Sequence, residues 1–337
     1  MKFRESFKIV ALSAAVAGAL VASAYAQDAI VLKVSHFLPP NHTFHKAMVA
    51  WGEQLDKQSG GRLKLQIYPA GQLGGGPNRQ FDAARNAITD IAISLHGATP
   101  GRYATTELAS LPFASPSVGN TSKARSRRIT ELAPEFLAAE HEGLKILWMA
   151  VTPSLMFHSK QPITKLDDFK GLKIRYAGAQ FKAIVDALGA VPLAVPPQET
   201  QDALSKGIVD AATFPYEGAA SFDLGTVAKN TLEPGVASAT FAVVMNPAKY
   251  ESLPDDLKKL IDATTGPDAA GAFGEKWDQS EIEGKTSLMG KGVQVHKLSD
   301  DAVAQLKALL EPQIDAALKA VEDMGRPGRQ FFENYTR

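Results

Sequence analysis

The chain contains no cysteine among its 337 residues. This absence excludes disulfide bonds, thiol nucleophiles, thiolate metal sites and a lipid anchor on an amino-terminal cysteine. An excess of one charge is also missing, because 36 Lys and Arg residues balance 36 Asp and Glu residues. Neither nucleic acid nor an anionic membrane surface is therefore expected as a partner.

Motifs of common catalytic sites are absent as well. The sequence has no H-E-x-x-H zinc motif, no G-x-S-x-G nucleophile elbow and no complete G-x-x-x-x-G-K-[ST] phosphate loop. His42 and His45 are three residues apart, but no third ligand lies nearby in the sequence. We therefore expect no bound metal, no cofactor and no catalytic residues.

One long apolar run occurs, and it lies at the amino terminus. Lys2, Arg4 and Lys8 precede an apolar stretch over residues 9–24, and the triplet Ala-Tyr-Ala ends at Ala26. The stretch is shorter than the roughly 20 residues that a membrane-spanning helix needs. The pattern is typical of a secretion signal that is cleaved near Ala26.

The rest of the chain alternates between strand and helix patterns, which is typical of parallel α/β units. The pattern predicts a first α/β unit over residues 31–94 and a second over residues 145–213. The predicted strands cover residues 31–34, 63–68, 91–94, 145–149, 171–176, 208–213 and 240–245, and the predicted helices cover residues 44–55, 81–86, 181–188, 198–206, 254–263, 268–289 and 300–323. Two such lobes place a ligand cleft between them, beyond the ends of their strands.

Several residues at the ends of predicted strands are candidates for that cleft. His36, with its neighbour Phe37, and His96 each follow a strand. Arg175 lies near the carboxyl end of the strand over residues 171–176, where its guanidinium can bind a carboxylate through two parallel hydrogen bonds. On local sequence alone, a surface arginine on the polar face of the strand is an equally good interpretation.

Four blocks of sequence, taken in order, resemble a known family. They are Leu63–Leu73, the run L-D-D-F-K-G-L-K-I-R that ends at Arg175, Gly207–Ala212, and Phe241–Pro254. Together they are similar to the substrate-binding proteins of TRAP (tripartite ATP-independent periplasmic) transporters. The resemblance extends from about Leu32 to the last predicted helix.

The resemblance implies a two-lobed periplasmic-binding-protein fold of class α/β, with discontinuous domains, hinge strands and long C-terminal helices. It implies a first lobe over residues 27–152 and 241–280, and a second over residues 153–240 and 281–337. A free periplasmic monomer would capture a small organic carboxylate and deliver it to a membrane permease driven by an ion gradient. In the family an arginine of this strand pairs with the ligand carboxylate, and the matching residue is Arg175.

Departures from the family pattern concern the ligand. Ser154 stands about where many relatives have a second arginine, and Phe214-Pro215-Tyr216 replaces a common Asn-Pro followed by Asn. Glu217 either binds the ligand or pairs with a cation such as Arg102. Further candidates for apolar walls are Phe214, Tyr216, Met156, Trp148 and Phe181. For Phe181, ordinary core packing is the alternative.

These departures favour a monocarboxylate with an apolar or aromatic body as the ligand. A sugar acid, a dicarboxylate or a keto acid is the alternative within the family. A periplasmic receptor that feeds a sensor kinase is a second alternative. A periplasmic hydrolase or lyase is a remote one, because no nucleophile and base have motif support.

Overall fold

The computed structural model describes residues 29–73 and 75–337. The expected signal peptide, residues 1–26, lies outside the described residues. Eleven strands form two sheets within this part of the chain. They are β1 (Ile30–His36), β2 (Leu63–Tyr68), β3 (Ile91–Leu95), β4 (Lys145–Val151), β5 (Leu155–Ser159), β6 (Lys173–Arg175), β7 (Val191–Leu193), β8 (Ala211–Phe214), β9 (Asn230–Ala237), β10 (Thr240–Met245) and β11 (Gln294–Lys297).

Helices cover the faces of both sheets. Within the described residues, none of them combines the length and apolar character required to cross a lipid bilayer. They are α1 (Thr43–Gln58), α2 (Gln80–Arg85), α3 (Ser122–Leu132), α4 (Ala179–Ala187), α5 (Thr200–Ser205), α6 (Tyr216–Ser221), α7 (Pro247–Glu251), α8 (Asp255–Ala263), α9 (Gly266–Gly290), α10 (Asp300–Asp323) and α11 (Gly328–Thr336).

Helix α1 illustrates how the sequence pattern produces an element. It begins after His42, whose Nδ1 accepts a hydrogen bond from the amide of Phe44 at 3.1 Å. Its buried face carries Phe44, Met48, Trp51 and Leu55, spaced three or four residues apart. The chain then turns through Gly60, whose φ of 65° lies in the left-handed region that glycine adopts without strain.

The first sheet has the strand order β2-β1-β3-β10-β4. Strand β1 pairs in parallel with β2 and β3, whereas β10 runs antiparallel to both β3 and β4. All five residues of β3 and all six of β10 are buried. This agrees with the near-continuous apolar sequence of strands that are covered on both faces.

The second sheet has the order β11-β9-β5-β8-β6-β7. Strand β6 lies between β8 and β7 and is parallel to both, and β5 is antiparallel to β8 and β9. The carboxyl ends of β6 and β8 carry Arg175 and Phe214 to the same edge of this sheet.

The chain passes twice between the sheets through short segments. It leaves the first sheet after Val151 and enters the second at Leu155, and it returns between Ala237 and Thr240. The sequence resemblance implies lobe boundaries after residues 152 and 240. The result is the expected two-lobed fold, in which we call each sheet with its helices the first lobe and the second lobe.

The long helix α9 contacts both lobes. Asp278 accepts a hydrogen bond from the amide of Ser122 at 2.8 Å, at the start of α3 in the first lobe. Glu281 accepts one from the amide of Tyr216 at 2.7 Å, at the start of α6 in the second. Helix α9 therefore holds one helix of each lobe by its amino terminus.

The C-terminal helices pack differently from the lobe assignment made above. Leu318 and Val321 of α10, with Phe331 and Tyr335 of α11, share an apolar cluster with Ile129 of α3. We therefore propose that α10 and α11 belong largely with the first lobe, although residues 281–337 were assigned to the second. Helix α10 continues through Pro312, although a proline in a helix interior removes a backbone hydrogen bond.

Candidate functional site

A cavity that opens to solvent lies between the lobes, and its empty space, counted together with the opening, is about 410 Å³. Its lining is mostly apolar and comes from the ends of strands of both sheets, from the two crossing segments and from helix α9. The residues are Phe37, Leu38, His42, Leu95, Thr152, Leu155, Arg175, Ala177, Pro197, Thr213, Phe214, Pro215, Gly218, Phe222, Ala239, Phe241 and Trp277.

Arg175 is the cation of this cavity. In β6, Lys173 is exposed while Ile174 and Arg175 are buried, and Arg175 is only 2% exposed. Its Nε donates to the carbonyl oxygen of Val195 at 3.1 Å, and its Nη1 donates to that of Thr213 at 2.9 Å. The guanidinium carbon lies 4.2 Å from the ring centroid of Phe214.

These contacts hold the guanidinium in place but leave its charge without a counterion. Within residues 29–73 and 75–337, Arg175 forms no ion pair, and its Nη2 forms no hydrogen bond. Burial lowers the pKa of Arg175 to about 9, so the group is still charged at neutral pH. A buried cation with unused donors beside a cavity can bind an anion, and a planar carboxylate matches its geometry.

Aromatic side chains form much of the remaining wall. The ring of Phe37 stacks on that of Phe241 with centroids 6.3 Å apart, and Phe241 lies 5.7 Å from Trp277. On the other side, the centroids of Phe214 and Phe222 are 5.7 Å apart. Aromatic faces bury a large area with little loss of rotamer freedom, so this wall suits an apolar or aromatic ligand body.

Of the residues that the sequence suggested for the cleft, the structure brings Arg175, Phe37 and Phe214 together around the cavity. The two candidate histidines lie elsewhere. Nε2 of His36 is 3.2 Å from Nδ1 of His45 in α1, and burial lowers the pKa of His36 to about 3.

His96 is fully buried behind the cavity wall. Its Nε2 lies 3.0 Å from Nε2 of His141, and its Nδ1 lies 3.1 Å from Oγ1 of Thr240. Burial also lowers the pKa of His96 well below its ordinary value. The expectation that His36 and His96 line the ligand cavity is corrected: both are neutral, hydrogen-bonded histidines of the interior.

Trp148, Met156 and Phe181 also lie outside the cavity lining. Trp148 packs edge-on against Trp51 at 5.4 Å and lines a separate groove beside α1 and α8. Met156 lies opposite Phe214 in the pairing of β5 with β8. Phe181 is fully buried in the main apolar core, which is the alternative that the sequence left open.

Tyr216 and Glu217 bond to the protein instead of facing the cavity. The hydroxyl of Tyr216 donates to Glu233 at 2.8 Å, and burial raises the pKa of that hydroxyl. Glu217 bonds to protein donors, among them the amide of Thr43 at 2.9 Å. The suggested partner of Glu217, Arg102, pairs with Asp82 at 2.8 Å.

A second buried arginine occupies the neighbourhood of Ser154, where the sequence suggested that a cation was missing. Both terminal nitrogens of Arg125, in α3, lie within 3.5 Å of the Ser154 hydroxyl oxygen. The Arg125 side chain also donates to Thr152, Ser238 and Asn120. It braces both crossing segments, and it does not line the cavity.

Sequence reasoning missed Phe222, Phe241 and Trp277 as wall residues, and it considered His42 only as a metal ligand. A signal existed for Phe241, which opens a block shared with the family. Trp277 lies within a helix far along the chain, where no local pattern points to a cleft. Among the described residues, no group of three His, Asp or Glu side chains is arranged to bind a metal ion.

Comparison with known proteins places the chain in a family. Residues 34–320 match the family DctP, described as bacterial extracellular solute-binding protein, family 7. The chain belongs to this family. Members are the periplasmic solute-binding components of TRAP transporters, a class of binding proteins and not of enzymes.

Solved members have the same fold over nearly their whole length. A TRAP solute-binding protein from Rhodoferax ferrireducens, in complex with copurified benzoate, is 29% identical with a TM-score of 0.87 over 91% of this chain and 96% of its own. One from an unidentified marine microbe, specific for aromatic acids and bound to 3-hydroxybenzoate, is 31% identical with a TM-score of 0.86 over 91% and 97%. One from Bordetella bronchiseptica with bound mandelate is 27% identical with a TM-score of 0.82, also over 91% and 97%.

Proposed function

We propose that this DctP-family protein captures an aromatic monocarboxylate in the periplasm and delivers it to the membrane permease of a TRAP transporter. The single observation that carries the proposal is Arg175, a buried cation without an acidic partner at a cavity with aromatic walls. The ligand carboxylate binds the free Nη2 edge of Arg175, and the ring lies among Phe37, Phe214 and Trp277.

The lining supports one negative charge and not two. Arg175 is the only Lys or Arg among the lining residues, and burial lowers the pKa of His42, the one other group that carries a positive charge on protonation. A second carboxylate would be buried without a counterion, which costs several kcal/mol. The lining therefore favours a monocarboxylate over a dicarboxylate.

The lining also supports an aromatic body over a sugar. The hydroxyl of Thr213 donates to the carbonyl of Arg175, and the hydroxyl oxygen of Thr152 accepts the amide of Ala239. Few polar groups are thus free for the several hydroxyls of a sugar acid, and each unpaired buried hydroxyl costs about 1–3 kcal/mol. The solved relatives that bind benzoate, 3-hydroxybenzoate and mandelate support the same ligand class.

The route of the ligand follows from the two-lobed fold. The acid enters between the open lobes, closure buries it, and the closed monomer docks on the permease. Export through the amino-terminal signal, cleaved near Ala26, places the protein in the periplasm. The proposal assigns no chemical step to the cavity.

A calorimetric titration with a matched set of acids tests the proposal. We expect benzoate and 3-hydroxybenzoate to bind, with benzoate at least about 100-fold tighter than benzamide, which has the same shape without the charge. Cyclohexanecarboxylate tests the ring, and succinate and galacturonate test the other ligand classes. Tighter binding of succinate or galacturonate than of benzoate, or equal binding of benzamide, would refute the proposal.

A further inference from the structure

Glu217 occupies a closed set of hydrogen bonds next to the cavity. Its Oε1 accepts from the amide of Thr43 at 2.9 Å and from the hydroxyl of Ser221 at 2.9 Å. Its Oε2 accepts from Nε1 of Trp277 at 3.2 Å and lies 3.3 Å from Nε2 of His42. The residue is only 5% exposed.

The proton on His42 can be assigned from its other contact. Nδ1 of His42 accepts the amide of Phe44, so Nε2 carries the hydrogen and donates to Glu217. Burial lowers the pKa of His42 although Glu217 opposes this effect, so the imidazole is neutral. The carboxylate thus receives four donors, which fill the roughly four acceptor positions of its two oxygens.

This saturation leaves no acceptor position for a ligand hydroxyl or ammonium. Trp277 and His42 both line the cavity, whereas Glu217 lies one layer behind them. Glu217 therefore affects the ligand through the residues that it holds.

Two of the four donors come from the opposite lobe. Glu217 and Ser221 lie in α6, which follows β8 of the second sheet, whereas His42 and Thr43 lie at the start of α1, on the first sheet. The side-chain amide of Asn41 also donates across the gap, to the carbonyl of Ser221 at 3.2 Å. These contacts form only when the lobes are together.

The position of Glu217 is fixed from its own side as well. Glu281 of α9 accepts the amides of Tyr216 and Glu217 at 2.7 and 2.8 Å, which anchors the first turn of α6. Gly284 allows this close approach, because a Cβ there would lie 2.7 Å from the backbone of Tyr216 and Glu217. The carboxylate is thus held ready to meet the donors of the first lobe.

We propose that Glu217 is an interlobe latch, a positioning residue that stabilises the closed state through His42 and Thr43 without touching the ligand. The inference rests on the proposed function in one respect, namely that a ligand is held by lobe closure. A filled cavity excludes water from the latch and strengthens its charge-assisted hydrogen bonds. Contacts present only in the closed state shift the population toward it.

The test compares Glu217→Gln with wild type and with Ser221→Ala. The glutamine keeps the size of the side chain but replaces one of its two acceptor oxygens with an NH2 donor. In place of Oε2 this NH2 group would face the donors of His42 and Trp277, and in place of Oε1 it would face those of Thr43 and Ser221. Ser221→Ala is the control. It removes the hydrogen bond from the Ser221 hydroxyl to Glu217, which joins two residues of the same helix and therefore does not depend on closure. Because the chain has no cysteine, spin labels on Lys57→Cys and Lys206→Cys report the distance between the lobes.

With benzoate as the probe, we expect E217Q to bind about 10- to 100-fold more weakly than wild type, with an unchanged ranking of the acids. The labelled variant is expected to have a smaller short-distance population at equal benzoate concentration, whereas S221A stays within about threefold of wild type. His42→Asn keeps a helix-capping side chain, and its effect on affinity should be non-additive with E217Q.

Two results would overturn the latch. In the first, E217Q binds benzoate and closes as wild type does. In the second, E217Q closes fully on benzoate but ranks the acids differently from wild type, as expected if Glu217 contacts the ligand directly. If benzoate leaves the wild-type distances unchanged, the aromatic-acid proposal fails instead. In that case the spin-label distances of the ligand-free proteins test the latch. The latch requires a smaller short-distance population in E217Q than in wild type, and equal populations would overturn it.

Discussion

Replacement of Arg175 by methionine is expected to weaken ligand affinity more than it changes ligand-free stability. Methionine keeps an unbranched side chain and removes the charge. If the cation serves the ligand, the variant loses binding. If it serves the fold, the variant loses stability.

The stability change can be worked from the structure. Burial lowers the pKa of Arg175 from 12.5 to about 9, which corresponds to a burial cost on the order of 5 kcal/mol. The variant leaves the carbonyls of Val195 and Thr213 unpaired, at about 1–3 kcal/mol each, and loses about 1 kcal/mol of contact with the Phe214 ring. These losses offset most of the burial cost, so the ligand-free variant is expected to stay within about 2 kcal/mol of wild type, a change in Tm of at most roughly 6 °C.

The affinity change is larger. Loss of one partner of a buried charge pair costs about 2–5 kcal/mol, which is a roughly 30- to 5000-fold weaker affinity for benzoate. Arg175→Lys keeps the charge but not the forked geometry, so it should fall between wild type and R175M. Scanning calorimetry and titration calorimetry measure the two effects. Binding within threefold of wild type, or a ligand-free variant that is destabilised by more than about 3 kcal/mol, would refute the reasoning.

Two further predictions concern contacts between the lobes. A Cβ on Gly97 would lie 2.6 Å from the Cα of Gly178 in the other lobe, so Gly97→Ala should obstruct closure. We expect this variant to bind benzoate at least about tenfold more weakly, with a change of less than about 1 °C in the Tm of the ligand-free protein. Unchanged affinity would contradict this. Burial, with a smaller contribution from Glu140, raises the pKa of Glu107, whose carboxylate lies beside Gly178, from 4.5 to about 7. Because the folded chain then keeps a proton on Glu107 that the unfolded chain releases, the contribution of Glu107 to stability should fall as pH rises from about 4.5 to 7, by at most about 3 kcal/mol. In urea titrations at pH 4 and 8, the stability of Glu107→Gln relative to wild type should therefore be higher at pH 8 than at pH 4, and the same pH dependence in both proteins would contradict this.

The sequence predicted the parts of the site that follow local rules. Arg175 and Phe214 end strands of one sheet and Phe37 follows a strand of the other, and strand ends are where cleft residues gather. Trp148 was misplaced because the last five residues of β4 are all buried, so alternation could not tell the cavity side from the groove side. The family resemblance gave the crossings near residues 152 and 240, which no local pattern indicates.

Contacts between distant segments could not be predicted from one sequence. Glu217 meets Thr43 across 174 residues and Trp277 across 60. A lone glutamate after a strand carries no sign of such partners. In the same way, Arg125 contacts Ser154 from another element, helix α3. The sequence around Ser154 therefore could not show that a second arginine lies near the cleft.

A crystal structure of the protein with benzoate tests the central claim most directly. The account predicts a carboxylate oxygen within hydrogen-bond distance of Nη2 of Arg175, a ring between Phe37, Phe214 and Trp277, and a Glu217 carboxylate bonded to His42 and Thr43 and not to the ligand. Benzoate bound away from Arg175, or a cavity that excludes benzoate and holds a dicarboxylate, would contradict it.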